Sequence, residues 1–133
     1  MKIRKSLVCP QRVRRVPPQF SWVDHRLIRD ECLGGCSLEA WALYLFLVTV
    51  ADAEGLSYYA EPSLQRRLGI SAAQLVRARE ELIRRELLAY AAPLYQVLSL
   101  DRPLGAAELR GRSNTAEAVS IGEVLRSLAG GVR

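Results

Sequence analysis

The chain has 133 residues, of which half are apolar and a quarter are charged. This length suits one compact domain with an arm or a tail, and the composition excludes a wholly disordered or collagen-like chain. The three cysteines cannot all pair within one chain, and the start of the chain does not look like a secretory signal. We therefore expect reduced thiols and a cytoplasmic protein.

The net charge of +5 is concentrated at one end of the chain. Residues 1–29 hold eight basic residues and one acidic residue, whereas residues 30–133 hold 11 basic and 13 acidic residues. Residues 1–19 also contain three of the six prolines and show little hydrophobic periodicity, which predicts an extended basic arm. A polyanion such as nucleic acid is the natural partner of such an arm, although a loose, solvated terminus is the alternative interpretation.

Two helices and a strand are predicted in the first half of the body. The spacing of Val23, Leu27 and Ile28 predicts a short helix within residues 20–31. Ser37 has the position of an N-cap for a helix over residues 38–53, which is apolar nearly all round and is therefore expected to be central and buried. Gly55 is expected to end this helix, and residues 56–59 predict a strand. The longest apolar run, residues 40–51, is too short for a membrane span of ~20 residues.

Two further helices and a hairpin follow. Pro62 is typical of a helix start, and Gly69 is expected to end that helix. Ser71 caps a helix from residue 72 to about residue 86, with Leu75, Ala78, Leu82 and Ile83 on its apolar face. Residues 87–90 and 94–100 predict two strands joined by a tight link at 91–93. The predicted class is α+β, mostly helical with a small β-hairpin.

The remaining residues predict a tail beyond the domain. With the arm at 1–19 and the domain at 20–100, we expect a linker over residues 101–119 and a short helix within 120–133. Its apolar stripe would either fold back on the domain or dock on a partner, which includes a second copy of this chain. The stripe consists of Ile121, Val124, Leu125 and Leu128.

The predicted elements follow the order helix, strand, helix, turn, helix and hairpin, and this order is similar to that of a known domain family. Residues 37–100 resemble a winged helix-turn-helix domain, most specifically in SLQRRLGISAAQLVRAREELIRRELLAY at 63–90. The upstream segment is similar to the winged-helix domains of plasmid replication initiators and DnaD-type primosomal proteins. The chain is also similar to small helix-turn-helix proteins found with insertion-sequence transposases. Arg79 and Glu86 depart from the pattern, which usually has Leu and Gly there.

The resemblance implies that the helix at 72–86 enters the major groove of double-stranded DNA, N-terminus first. On the face opposite its apolar residues, Gln74 can pair with adenine and Arg77 with guanine. The methyl groups of Ala72 and Ala73 can contact thymine. The basic arm is expected on the DNA backbone or in the minor groove. The full set of expected DNA contacts is Arg12, Arg14, Arg15, Arg66, Arg67, Ser71, Ala72, Ala73, Gln74 and Arg77.

A zinc site and an enzyme active site are the other two kinds of site that the sequence could contain. Cys9, His25, Cys32 and Cys36 have the residue types of zinc ligands, but their spacing lacks a second paired motif and suits small buried side chains equally well. No P-loop, dinucleotide fingerprint or nucleophile pattern is present, so we expect neither an enzyme nor a cofactor. Trp22 and Trp41 are expected in the core, since stacking on bases requires exposure.

The sequence therefore predicts a DNA-binding protein, acting in replication, transposition or transcriptional control near the nucleoid. A transposase, a replication protein or a second copy of the chain is an expected partner. The alternative is a protein-interaction adaptor, in which the winged fold is a scaffold and the C-terminal stripe recruits a partner.

Overall fold

The computed structural model describes residues 3–101, which form an α+β domain with a three-stranded antiparallel sheet. The α+β class and the β-hairpin are confirmed. The elements are α1 (Arg26–Arg29), α2 (Leu38–Val50), β1 (Leu56–Tyr58), α3 (Glu61–Leu68), α4 (Ala72–Arg84), β2 (Leu88–Ala91) and β3 (Leu94–Val97).

The N-terminal arm lies outside the packed body. All residues from 3 to 23 are exposed, and the only regular structure among them is a 3-10 turn at Pro10–Arg12. The short helix predicted within residues 20–31 is confirmed as α1, but it covers only one turn. The apolar spacing on which the prediction depended is wrong, because Val23 and Ile28 are exposed and only Leu27 is buried. Here side-chain hydrogen bonding by Asp24, rather than hydrophobic spacing, sets where the helix begins.

Asp24 and Arg26 fasten the end of the arm to the domain. The Asp24 carboxylate accepts the backbone N–H of Arg26 at 2.9 Å and pairs with its guanidinium at 2.7 Å. The same guanidinium donates to Asp101 at 2.6 Å, on the segment that follows β3. This clamp ties the two ends of the domain together.

The clamp predicts an acid-sensitive contribution to stability. Hydrogen bonds from Arg26 lower the pKa of Asp24 from 3.8 to about 2. Because the folded pKa lies below the unfolded one, Asp24 stabilises the fold above about pH 4, and this contribution disappears as the pH falls towards 2. The thermal midpoint of Asp24→Asn should therefore lie below that of the parent protein at neutral pH, and the two midpoints should converge near pH 2. A difference that stays constant with pH would contradict the clamp.

Helix α2 forms the centre of the body but is buried on one face only. Ser37 caps it as predicted, since its hydroxyl accepts the N–H of Ala40 at 3.2 Å. Four residues at helical spacing are buried, namely Ala40, Leu43, Tyr44 and Leu47. The expectation of burial all round is wrong, because Leu38 is 83% and Leu45 is 60% exposed.

The end of α2 is also earlier than expected. The helix stops at Val50 because the Asp52 carboxylate accepts the N–H groups of Glu54 and Leu56, which builds a turn in place of a further helical turn. Gly55 shapes the entry to β1 instead of capping the helix. Its φ is +85°, and a Cβ there would lie 2.5 Å from the carbonyl oxygen of Val97.

Helices α3 and α4 follow the prediction closely. Pro62 lies in the first turn of α3, and Gly69 ends that helix in the left-handed conformation. Ser71 caps α4, which buries Leu75, Ala78 and Leu82 as expected but ends at Arg84 rather than near residue 86. Glu86 has a φ of +59°, which explains why the resembling pattern usually has Gly there.

The sheet has the strand order β1-β3-β2, with both pairs antiparallel. Strand β2 has the predicted length but lies one residue later than predicted, whereas β3 ends at Val97 rather than at residue 100. The link between them is Ala92-Pro93 rather than residues 91–93. The core lies between this sheet and the helices, with Leu43, Leu47, Leu64, Leu82 and Tyr95 among its fully buried side chains. Helix α4 packs mainly against α2, with further contacts to α3 and β2, and leaves its opposite face to solvent.

The predicted linker from residue 102 onwards and the predicted helix within 120–133 lie outside the described residues, as do Ile121, Val124, Leu125 and Leu128. Within residues 3–101, no helix is long and apolar enough to cross a membrane.

Candidate nucleic-acid interface

The exposed start of α4 presents polar backbone groups to solvent. Ser71, Ala72 and Ala73 are all exposed. The Ser71 hydroxyl accepts the N–H of Gln74, which leaves the N–H groups of Ala72 and Ala73 without a partner among the described residues. A helix start with free N–H groups and a positive dipole end can bind a phosphate.

Gln74 has a structural role that the sequence analysis missed. Its amide oxygen accepts the backbone N–H of Ser71 at 2.9 Å, which completes a capping box. Its amide nitrogen donates to Glu39 of α2 at 3.4 Å. To pair with adenine, Gln74 would have to break these bonds. Gln74 is therefore a poorer candidate for a base contact than its place opposite the apolar face of the helix predicted.

Arg77 lies on the exposed face of α4, but among carboxylates. It lines a shallow concavity of about 430 Å³ between α4 and the start of α2. Glu81 on this surface accepts the hydroxyl of Ser37 at 2.5 Å and its backbone N–H at 3.1 Å, and these bonds lower the pKa of Glu81. The lining residues are Ser37, Glu39, Gln74, Arg77, Glu80, Glu81 and Arg84. The face therefore has little positive potential of its own.

Two further cations lie beside this face on α3. Arg66 and Arg67 are exposed in the last turn of α3, and neither forms an ion pair with another described residue. The turn at Gly69 joins this end of α3 directly to the start of α4. The structure thus places two exposed groups of contacts on either side of the turn: Arg66 and Arg67 at the end of α3, and Ser71, Ala72 and Ala73 at the start of α4.

The arm begins at the other end of α2. Ser21 donates its hydroxyl to the carbonyl of Thr49, at the C-terminal end of this helix. Glu39, at the N-terminal end, contacts α4 through Gln74. Glu39 and Thr49 are ten residues apart on α2, which corresponds to about 15 Å at 1.5 Å per residue. The six to nine residues between the anchored Ser21 and Arg15, Arg14 or Arg12 can span up to about 20 to 30 Å when extended, so these cations can reach the α4 face.

Arg79 is the polar residue whose role the sequence did not reveal. Its side chain is only 11% exposed, and its guanidinium pairs with Glu61 of α3 at 3.0 Å. It also donates to the hydroxyl of Tyr95 at 3.0 Å and lies 4.2 Å from the centre of the Tyr90 ring. Arg79 therefore joins α4 to α3 and to the hairpin, and it does not belong to the exposed face.

The placement of the tryptophans differs from the sequence prediction. Trp41 is partly buried against the core, as expected, but Trp22 is 76% exposed. Phe20 beside it is 68% exposed, and both rings line a groove of about 480 Å³. Phe20 and Trp22 lie in non-helical chain before α1, where hydrophobic spacing does not report burial. The sequence therefore did not predict that these rings are exposed.

The four candidate zinc ligands do not come together. Within residues 3–101, no group of three or more His, Cys, Asp and Glu side chains could hold a metal ion. Cys9 is exposed on the arm, whereas Cys32 packs against the core and contacts the carbonyl of Arg26 at 3.4 Å. The structure thus favours the interpretation of Cys32 and Cys36 as small core-packing side chains.

Comparison of the chain with protein-family models, with curated proteins and with solved structures finds no match.

Proposed function

We propose that this protein binds double-stranded DNA, with α4 facing the major groove and the basic arm on the phosphate backbone or in the minor groove. The observation that carries the proposal is the arm. Arg4, Lys5, Arg12, Arg14 and Arg15 are all exposed, and none forms an ion pair with another described residue. Cations held free of carboxylates are available to replace the counterions of DNA.

The exposed turn between α3 and α4 adds a second contact region to this proposal. Arg66 and Arg67 have the position to contact the DNA backbone, and the free N–H groups of Ala72 and Ala73 can donate hydrogen bonds to a phosphate. Arg77 is the one long cationic side chain on the exposed first two turns of α4 and is our candidate for a guanine contact. The hairpin link, Ala92-Pro93, has no cation to add.

The balance of these features predicts affinity with modest sequence discrimination. The α4 face offers two alanines and one arginine at its start, flanked by Glu39, Glu80 and Glu81. Phosphate contacts position a protein on DNA but carry no sequence information. The arm would therefore supply most of the binding free energy, and α4 would supply orientation. This arrangement suits a role in replication, transposition or transcription, with the protein located at the nucleoid.

Arginine substitutions on the two helices test this arrangement. Arg77→Ala should weaken binding to a duplex by about fivefold or more, since a good base contact contributes about 1–3 kcal/mol. Arg84→Ala is the matched control, because it removes the same charge from the same helix two turns further on, and it should change affinity less than twofold. Anisotropy of a labelled duplex measures both. An affinity loss for Arg77→Ala no larger than that for Arg84→Ala would contradict the guanine contact assigned to Arg77.

The adaptor function remains a second candidate because of one observation. Leu38 and Leu45 expose apolar surface on the same helix, and nothing within residues 3–101 covers them. An exposed apolar patch is typical of a protein-binding surface. If the adaptor is the correct function, deleting residues 115–133 should abolish partner recruitment while DNA binding is absent.

A further inference from the structure

We propose that Phe20 and Trp22 form a stacking site for unpaired nucleotide bases at the root of the basic arm. The inference deepens the proposed function and rests on it for the role of the arm. The ligand of this groove would be single-stranded nucleic acid. The groove is separate from the α4 face that we propose for duplex DNA.

The two rings are exposed and share one groove. Phe20 and Trp22 line it together with the apolar side chains of Val48 at the end of α2 and of Leu98 and Leu100 after β3. Rings of this size are costly to leave in water, and the body of the domain has not buried them. Their exposure in the same groove marks a binding surface.

The backbone that carries the rings is fixed. Ser21, between them, is bonded to the carbonyl of Thr49 at 3.0 Å. On the C-terminal side of the rings, the Arg26 guanidinium pairs with both Asp24 and Asp101. A ring held on an anchored backbone loses little freedom when a flat partner stacks on it. The site is thus preorganised for stacking.

The charges around the groove indicate how a strand would lie. Arg12, Arg14 and Arg15 precede Phe20 by five to eight positions, and no acidic residue occurs before Asp24. The groove itself is lined by the carboxylates of Asp24, Asp52, Glu54 and Asp101 and by one cation, Arg26, which pairs with Asp24 and Asp101. Phosphates would be attracted to the arm and repelled by the groove, so only the bases of a bound strand would enter it and meet the rings.

This arrangement favours unpaired bases over a duplex. In a duplex the faces of the bases are already stacked on their neighbours, so a ring can reach one only after unstacking, which costs a few kcal/mol. A protein partner would also cover the rings. An arm of cations without a single carboxylate in residues 1–23, however, matches a polyanion better than a typical protein surface.

The test compares two substitutions of Trp22 in the full-length protein. Trp22→Leu keeps an apolar side chain but removes the aromatic face, whereas Trp22→Phe keeps an aromatic face. Binding is measured by anisotropy with labelled oligo(dT) and, in parallel, with a duplex of the same length. We expect Trp22→Leu to weaken oligo(dT) binding about fivefold or more, the fold-change that matches one stacked base. Trp22→Phe should retain most of the affinity, and both variants should bind the duplex within about twofold of the parent.

Tryptophan emission gives an independent readout. The chain has two tryptophans, and Trp41 packs against the core. Oligo(dT) should therefore quench the emission of the parent protein by stacking on Trp22, and Trp22→Phe should lose most of that quenching. Because Trp22 is exposed, neither substitution should change the thermal midpoint, which serves as the folding control.

The outcomes separate this inference from the proposed function. Normal duplex binding with oligo(dT) affinity unaffected by Trp22→Leu overturns the stacking site and leaves the duplex proposal standing. Oligo(dT) binding that depends on Trp22 without any duplex binding supports the stacking site and overturns the duplex proposal. Self-association that Trp22→Leu abolishes, with no effect on oligo(dT), assigns the groove to a second copy of the chain and overturns the inference.

Discussion

Replacing Arg14 and Arg15 by alanine is expected to weaken duplex binding by about tenfold or more and to flatten its dependence on salt. Each phosphate contact contributes about 0.9 to the slope of log affinity against log salt concentration. Loss of two contacts should therefore lower that slope by nearly two. The reason lies in the exposure of these side chains and in their lack of carboxylate partners among the described residues.

The matched control removes the same charge from elsewhere on the domain. Arg29→Ala with Arg84→Ala also lowers the net charge from +5 to +3, but it leaves the arm intact. Its slope should stay close to that of the parent protein. If both double variants lose affinity equally, net charge alone explains the binding, and the arm has no special role.

Replacing Arg79 by leucine is expected to destabilise the fold by about 1–3 kcal/mol, although leucine is the residue that the winged-helix pattern usually has there. The substitution removes the pair with Glu61, the bond to Tyr95 and the contact with the Tyr90 ring. A cation over an aromatic ring contributes about 0.5–2 kcal/mol. The pair with Glu61 adds less than a fully buried one would, because the Glu61 side chain is about half exposed.

Thermal or denaturant unfolding measures this effect, with Arg84→Ala as the comparison on the same helix. That exposed substitution should change stability by less than about 0.5 kcal/mol. The double variant Arg79→Leu with Glu61→Gln should be less destabilised than the sum of the two single changes, because the two residues interact. An Arg79→Leu midpoint equal to that of Arg84→Ala would mean that the three contacts contribute nothing to stability.

Local rules predicted those parts of the fold that depend on local contacts. Ser37, Pro62, Gly69 and Ser71 mark helix ends because capping and backbone conformation involve only neighbouring residues. The apolar face of α4 was equally readable, since hydrophobic periodicity reports which side meets the core. The α+β class follows from these elements.

The errors concern residues whose neighbours are distant along the chain. Leu38 and Leu45 are indistinguishable in sequence from Leu43 and Leu47, and only the positions of α4 and the sheet decide which pair is buried. In the same way, the burial of Arg79 depends on Glu61 and Tyr95, which lie 18 and 16 positions away. At the candidate site, composition identified the arm, but the commitment of Gln74 to the helix cap appears only in the folded chain.

The most direct test of the central claim is titration of the full-length protein against a labelled random duplex at salt concentrations from about 50 to about 200 mM. We expect a dissociation constant at or below the micromolar range at the lowest salt, and an affinity that falls steeply as salt rises. Absence of binding at the lowest salt would contradict the claim that this protein binds DNA.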